Sequence, residues 1–272
     1  MGEIIQIANF QSGYLEKSEE KIQTLLEQTF KNVYNPDFCK VFGKPVDVFE
    51  TVIISDLHLG SKVCRAEELL LFLETVRFKR LIINGDVFDS INMKRLNRHH
   101  WKVLSILRLL TDHENGIDVI WLRGNHDGYA DLISQLLGIQ FYVEYELEWN
   151  SQKVLVFHGD IFDKFVSEYP LLTDFADGLY RMSVYLNPTT KRIGRWLKRN
   201  SKTFLRNTEK VREGAISFAN HRHAGTVICG HTHHVEDAIV EGIRYLNPGS
   251  WTDSPTHFVG ITEDQIRVVQ YF

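Results

Sequence analysis

Cysteine is scarce and scattered: Cys39, Cys64 and Cys229 are the only three in 272 residues. An odd count with no CxxC spacing argues against a disulfide framework, a zinc knuckle or a dithiol redox pair, and suits a reducing compartment. Long apolar runs are absent too. No stretch reaches about 18 apolar residues, so no membrane-spanning helix is expected. The Met1-Gly2-Glu3 start lacks the cationic segment and apolar length of a secretory signal. Gly2 fits an N-myristoylation start, but Gln6 stands where that pattern wants Ser or Thr. Charge of one sign is also lacking: 31 Lys and Arg against 35 Asp and Glu leave a net charge of −4, with no overall pull on nucleic acid. The expectation is a cytoplasmic chain that recruits any anionic partner locally.

What is present is an ordinary globular composition, 43% hydrophobic, with enough length for one domain carrying an insertion. Residues 1–46 form a helical extension whose one clear period is Ile22, Leu25, Leu26 and Phe30. Gly43-Lys44-Pro45 then punctuates the chain, and residues 47–272 form the main domain. Thr51–Ile54, Arg80–Asn84 and Asp118–Leu122 read as buried strands, separated by helices over Ala66–Val76 and around Val103–Leu110. That alternation implies right-handed crossovers and a parallel sheet with its loops on one edge. From Tyr142 the period becomes two. Tyr142–Trp149, the turn Asn150-Ser151 and Lys153–Phe157 read as a hairpin opening a second sheet. The expected architecture is an α/β, αββα two-sheet sandwich with a helical cap inserted at about 161–222.

The strand ends carry the chemistry. Asp56-Leu57-His58, Gly85-Asp86-Val87-Phe88-Asp89, Gly124-Asn125-His126-Asp127, His158-Gly159-Asp160 and Gly230-His231-Thr232-His233 each follow an apolar run. Five strand ends tipped with oxygen or nitrogen donors are what a binuclear metal site needs. With no thiolate to impose zinc and no all-oxygen shell to impose magnesium or calcium, two divalent ions are expected, manganese favoured, with Fe or Zn as the other fits.

These five blocks, in this order, resemble the calcineurin-like metallophosphoesterases from about Thr51 onward. The resemblance implies one ion held by Asp56, His58, Asp86 and His233, and another by Asp86, Asn125, His158 and His231. It implies His126 as the group that gives a proton to the leaving oxygen, Asp127 or Asp89 orienting it, and Asp160 in a supporting position. Within that family the Asp56–Gly60 opening, the helical stretch after His158-Gly159-Asp160 and Asn247–Thr252 look most like the UDP-2,3-diacylglucosamine hydrolase group. The implied reaction splits that lipid-linked sugar nucleotide into UMP and 2,3-diacylglucosamine 1-phosphate, a step of lipid A synthesis. One departure is His126, where the best known lipid hydrolases have Arg. Because His can donate a proton, it favours the alternative of a phosphodiesterase or phosphatase acting on nucleotides or other small phosphoesters. A catalytically silent interaction scaffold on the same fold would have no reason to keep all seven donors together.

Lys94, Arg98 and His99 follow the Gly85–Asp89 block closely enough to be expected on an anionic substrate. The basic stretch 191–206 interleaves Ile193, Trp196 and Leu197 with Lys and Arg. That is the composition of a helix lying on an anionic bilayer, peripheral on the inner face of the cytoplasmic membrane. Nucleic acid is the weaker reading, because no recognition motif accompanies the basic stretch.

Overall fold

The computed structural model describes residues 48–112, 117–163 and 202–271, nearly all of them in the unit formed by Val48–Leu73 and Phe78–Phe272. The expected helical extension, the first part of the cap and residues 191–201 of the basic stretch lie outside the described residues.

Eleven strands are described: β1 (Val48–Ile54), β2 (Arg77–Asn84), β3 (Asp118–Leu122), β4 (Gln140–Tyr142), β5 (Glu144–Trp149), β6 (Gln152–Phe157), β7 (Thr226–Ile228), β8 (Glu236–Val240), β9 (Ile243–Asn247), β10 (His257–Ile261) and β11 (Ile266–Gln270). They form a six-stranded sheet ordered β11-β10-β1-β2-β3-β4 and a five-stranded sheet ordered β5-β6-β7-β9-β8. Strand β2 runs parallel to β3, and β3 to β4, as the alternation of strand and helix implies. The first sheet is nevertheless mixed. Strands β10 and β11 return to it antiparallel, with Thr51 opposite Ile261.

The hairpin differs from its sequence reading in one respect. Tyr142–Trp149 is not one strand: the chain breaks at Val143, so that Gln140–Tyr142 extends the first sheet and Glu144–Trp149 opens the second. Asn150 and Ser151, at φ of 49° and 60°, make the two-residue turn whose twist matches the flanking strands.

Burial follows the period of two. Val154 and Val156 of β6 face a core shared with Ile53, Ile82, Ile120, Leu122, Ile228, Leu246 and Val259, drawn from both sheets. Leu155 and Phe157, on the opposite face of the same strand, pack with Ala215, Ile216 and Ala219. Those three lie on the helix Lys202–His221. This helix falls within the stretch read as cap, yet its small buried residues lay it flat on the outer face of the second sheet. On the first-sheet side, α1 (Ala66–Thr75) buries Ala66, Leu69, Phe72 and Leu73, and α2 (Arg98–Leu110) buries Val103, Leu104, Leu107 and Leu110. A shorter α3 (Ala130–Leu137) ends on Gly138 at φ 71°, a left-handed cap that glycine adopts without strain. Lys202–His221 is α4. The layers are thus helix, sheet, sheet, helix. Among the described residues no helix is long and apolar enough to cross a membrane.

Candidate metal centre

The polar strand ends converge. Ligand-capable atoms of Asp56, His58 and His233 lie within 4.8 Å of one another; so do those of Asp86, His158 and His231, and those of His58, Asp86 and His126. Five of these residues sit in the left-handed region, at φ of 55° for Asp56, 47° for His58, 52° for Asp86, 62° for His231 and 55° for His233. Such backbone conformations are uncommon outside glycine and gather where function requires them.

Each carboxylate divides its two oxygens between the scaffold and the cleft. Asp56 Oδ2 accepts the Ser55 hydroxyl proton and the His231 N–H, the latter at 3.0 Å, while Oδ1 stands 3.1 Å from His233 Nε2 and 3.9 Å from His58 Nε2. Asp86 Oδ1 accepts the His126 N–H at 2.8 Å, while Oδ2 lies 3.4 Å from His158 Nε2 and 3.9 Å from His58 Nε2. One Asp86 oxygen therefore faces imidazoles of both clusters.

The histidines are held with a chosen nitrogen forward. His158 Nδ1 donates to the Asn84 carbonyl at 2.8 Å, which leaves Nε2 toward Asp86. That Nε2 and Asp56 Oδ1 are buried without a hydrogen bond of good geometry. Buried polar atoms are rarely left so, and a cation at each cluster would satisfy them. His58 Nε2 and His233 Nε2 are 3.2 Å apart. Two nitrogens bound at about 2.1 Å to one ion would stand about 3.0–3.4 Å apart, so the pair fits a common ion.

Electrostatics agree with the geometry. Burial raises Asp56, but the imidazoles of His233 and His158 outweigh it and bring the carboxyl down to about 2. Burial opposes ionisation of Asp86 as well, yet His158 and His58 hold it well below the usual carboxylate range. Burial pushes His58 down to about 4, so its ring is neutral at pH 7 with a lone pair to offer. His158 goes the other way. Burial disfavours its charge, but Asp86 and Asp56 together push it up to about 10. At 3.4 Å and an effective dielectric of about 20, one such attraction is worth about 5 kcal/mol, enough to outweigh the desolvation.

Glycines let these loops close. A Cβ on Gly85, whose φ is 81°, would fall 2.2 Å from His158 Nδ1, and one on Gly230 would fall 1.9 Å from Ser55 Oγ. Real side chains do not approach so closely.

One expectation about the surroundings needs correction. Asp127 does not orient His126. Its buried carboxylate accepts the N–H groups of Asp86 at 2.9 Å, Val87 at 3.1 Å and Gly124 at 3.0 Å and the Trp121 indole N–H at 3.1 Å, so it ties two site loops together. Burial and then the Asp86 charge push its carboxyl up to about 6 despite those donors. What meets the His126 ring is the main-chain carbonyl of Asp89, 3.1 Å from Nδ1. The Asp89 carboxylate instead pairs with Arg95 at 2.5 Å and stands 3.9 Å from His58 Nδ1.

The basic loop lies beside the site. His99 pairs with Glu67 at 3.0 Å, and its neighbour Asn97 caps α2. Lys94 and Arg98 are exposed. Arg95, through Asp89, is the cation of this loop joined to the site. Asn125 Oδ1 lies 3.0 Å from His231 Nδ1, which brings the seventh expected donor to the second cluster. Asp160 opens the short turn Asp160–Phe162, and its charge favours a protonated His158.

Three supporting residues were not among the expected site residues. Asn84, fully buried, receives Ser55 and His158 on its carbonyl and donates to Phe157 O at 3.1 Å, which joins the two sheets beneath the site. Asn247 donates to Gly230 O at 2.8 Å and to Thr232 Oγ1 at 3.1 Å, and so steadies the loop carrying His231 and His233. Asp163 Oδ2 lies 3.1 Å from His231 Nε2.

Two sheets packed face to face, with His and Asp clusters suited to two metal ions at their joined rims, define a protein of the binuclear metallohydrolase class. The model of the calcineurin-like phosphoesterase superfamily domain matches residues 49–263, and the chain belongs to that superfamily. Curated proteins offer no match. Among solved structures, the chain is similar to an archaeal phosphodiesterase at 14% identity, covering 81% of this chain and 99% of that one with a TM-score of 0.44. It is also similar to a predicted phosphoesterase from Streptococcus pneumoniae, at 18% identity over 80% and 86% of the two chains with a TM-score of 0.36. A third is the zinc complex of Vps29 from Entamoeba histolytica, at 15% identity over 80% and 89% with a TM-score of 0.43.

Proposed function

We propose that this chain hydrolyses a phosphoester or pyrophosphate bond with two divalent ions, manganese first among them. Asp56, His58, Asp86 and His233 would hold one ion, and Asp86, Asn125, His158 and His231 the other. The observation that carries this reading is the Asp86 carboxylate oxygen that faces both clusters. When bound, such a pair acidifies water to a pKa of about 7 and withdraws charge from the phosphoryl oxygens. The chain's own residues do the rest. Asp86 and Asp56 stay anionic, and His58 stays neutral. With Nδ1–H on the Asp89 carbonyl, His126 keeps Nε2 for the cleft, where its imidazolium form would give the Nε2 proton to the departing oxygen and remain as the neutral ring protonated on Nδ1.

The proposed substrate is a lipid-linked sugar nucleotide, UDP-2,3-diacylglucosamine, split to UMP and the acylated sugar 1-phosphate. This rests on the motif resemblance and on the basic stretch 191–206, which would meet the anionic inner face of the cytoplasmic membrane. A second reading, a small phosphodiester or phosphomonoester, is favoured by His126 as a proton donor. The deciding experiment gives the manganese-loaded full chain the lipid in mixed micelles and, separately, a nitrophenyl phosphodiester. Release of UMP supports the lipid; turnover of the soluble ester alone supports the second reading. Lipid hydrolysis undiminished in a metal-stripped Asp86→Ala protein would refute the mechanism.

A further inference from the structure

We infer that Asp163 is a positioning residue for His231, fixing which ring nitrogen that histidine presents to its cluster. The inference rests on the two-ion reading above and names a residue that reading does not use.

His231 is contacted at both ring nitrogens. Nδ1 is 3.0 Å from Asn125 Oδ1, and Nε2 is 3.1 Å from Asp163 Oδ2. An imidazole that ligates a cation offers one bare nitrogen and keeps the proton on the other, and the partner of that proton decides which is which. A carboxylate accepts an N–H and offers none, so Asp163 holds the proton on Nε2. Nδ1 is then bare on the side shared with Asn125, Asp86 and His158. The side chains of His231 and Asp163 are only 10% and 12% exposed, so water competes little for the contact.

Asp163 is itself anchored. Its N–H donates to Asp160 O at 3.0 Å, closing the short turn that follows His158, and Asn207 on α4 reaches its Oδ1 at 3.5 Å. The carboxylate thus stands between the helix on the outer face of the second sheet and the loop bearing His231. It does not share the cluster formed by Asp86, His158 and His231, which sets it behind the histidine as a partner and not beside it as a ligand. A carboxylate behind a ligating histidine raises its basicity and fixes its ring, and losing such a partner typically costs 10–100-fold in metal affinity.

The test is manganese binding to the full chain by electron paramagnetic resonance, read as two stepwise constants, together with thermal denaturation of the chelated protein. For Asp163→Ala, the affinity of one ion falls about 10–100-fold, the other stays within about threefold, and the chelated protein melts near the wild-type temperature. Asp163→Asn keeps an acceptor without the charge and falls less. In zinc-loaded wild-type protein, nitrogen-15 imidazole shifts place the proton of His231 on Nε2. Wild-type constants for both ions in Asp163→Ala would overturn the inference, and so would equal weakening of both ions with a large melting loss, the mark of a merely structural residue. A wild-type chain that binds no manganese would overturn the two-ion reading and this inference with it.

Discussion

Nε2 of His58 and Nε2 of His233 face each other at 3.2 Å, although 175 residues separate them in the chain. Two unprotonated imidazole nitrogens at that distance repel unless a proton or a cation lies between them. Burial keeps His58 neutral at pH 7, so in the metal-free chain one ring lends the other an N–H, and a bound cation would take the place of that proton. His233→Ala should therefore weaken one of two metal equivalents while the other persists. Turnover of a nitrophenyl phosphodiester should fall by on the order of 10²–10³, the equivalent of several kcal/mol of lost charge stabilisation. Metal analysis after dialysis checks the first part, and unaltered content of both equivalents would contradict it.

His126 and Asp127 are neighbours in sequence with opposite expected consequences. His126→Ala should leave the melting temperature close to wild type and lower kcat about 10²–10⁴-fold, the usual range for a proton donor. Asp127→Ala strips the acceptor from four buried N–H groups and should cost about 3 kcal/mol or more of stability in the chelated protein. Chemical denaturation separates the two. A stable Asp127→Ala protein would show that the loops do not depend on this carboxylate.

Gly85→Ala combines a left-handed backbone with a Cβ that would overlap the His158 ring. The expected result is a loss of at least about 3 kcal/mol, or no recoverable folded protein, because the nearest obstacle is a ring held at Nδ1 by the Asn84 carbonyl. Gly128→Ala is the control, since a Cβ there meets nothing within 4 Å. Equal stability of the two variants would remove the packing argument.

The His158–Asp86 pair gives the metal-free protein a signed pH dependence. The folded pKa of His158 is raised to about 10 from an ordinary 6.5, so the folded state holds a proton that the unfolded chain releases first. The contribution is fully present below pH 6.5 and is lost as pH rises toward 10. Urea denaturation of chelated protein from pH 6 to 10 should show a decline of a few kcal/mol, since a tenfold difference in proton affinity between folded and unfolded chain is worth about 1.36 kcal/mol. His158→Gln should flatten it. A flat wild-type profile would mean that the ring is neutral in the folded chain.

Much of this was legible in the sequence because the donors occupy strand ends. The β-branched runs before Asp56, Asp86 and Asn125 specify buried strands, and the topology of parallel strands then delivers their ends to one rim. His231 and His233 could be read in the same way. The roles of Asp127 and Asp89 were not legible, because adjacent positions look interchangeable until the backbone directions are known. One carboxylate turns inward to four N–H donors, whereas the other residue offers a main-chain carbonyl to His126. Asp163 carries no sequence signal because a residue five positions beyond His158 reaches another loop only through the turn at Asp160–Phe162. The break at Val143 escapes a period-two reading because both halves of Gln140–Trp149 are extended, and only their different partners tell them apart.

The most direct test of the two-ion centre is the metal content of the full chain, loaded with manganese, freed of excess by dialysis, and compared with Asp86→Ala. Two equivalents per wild-type chain, with both weakened in the variant along with phosphodiester turnover, is the predicted result, because one Asp86 oxygen faces both clusters. A wild-type chain holding one equivalent or none, or an Asp86→Ala protein that keeps two, would contradict it.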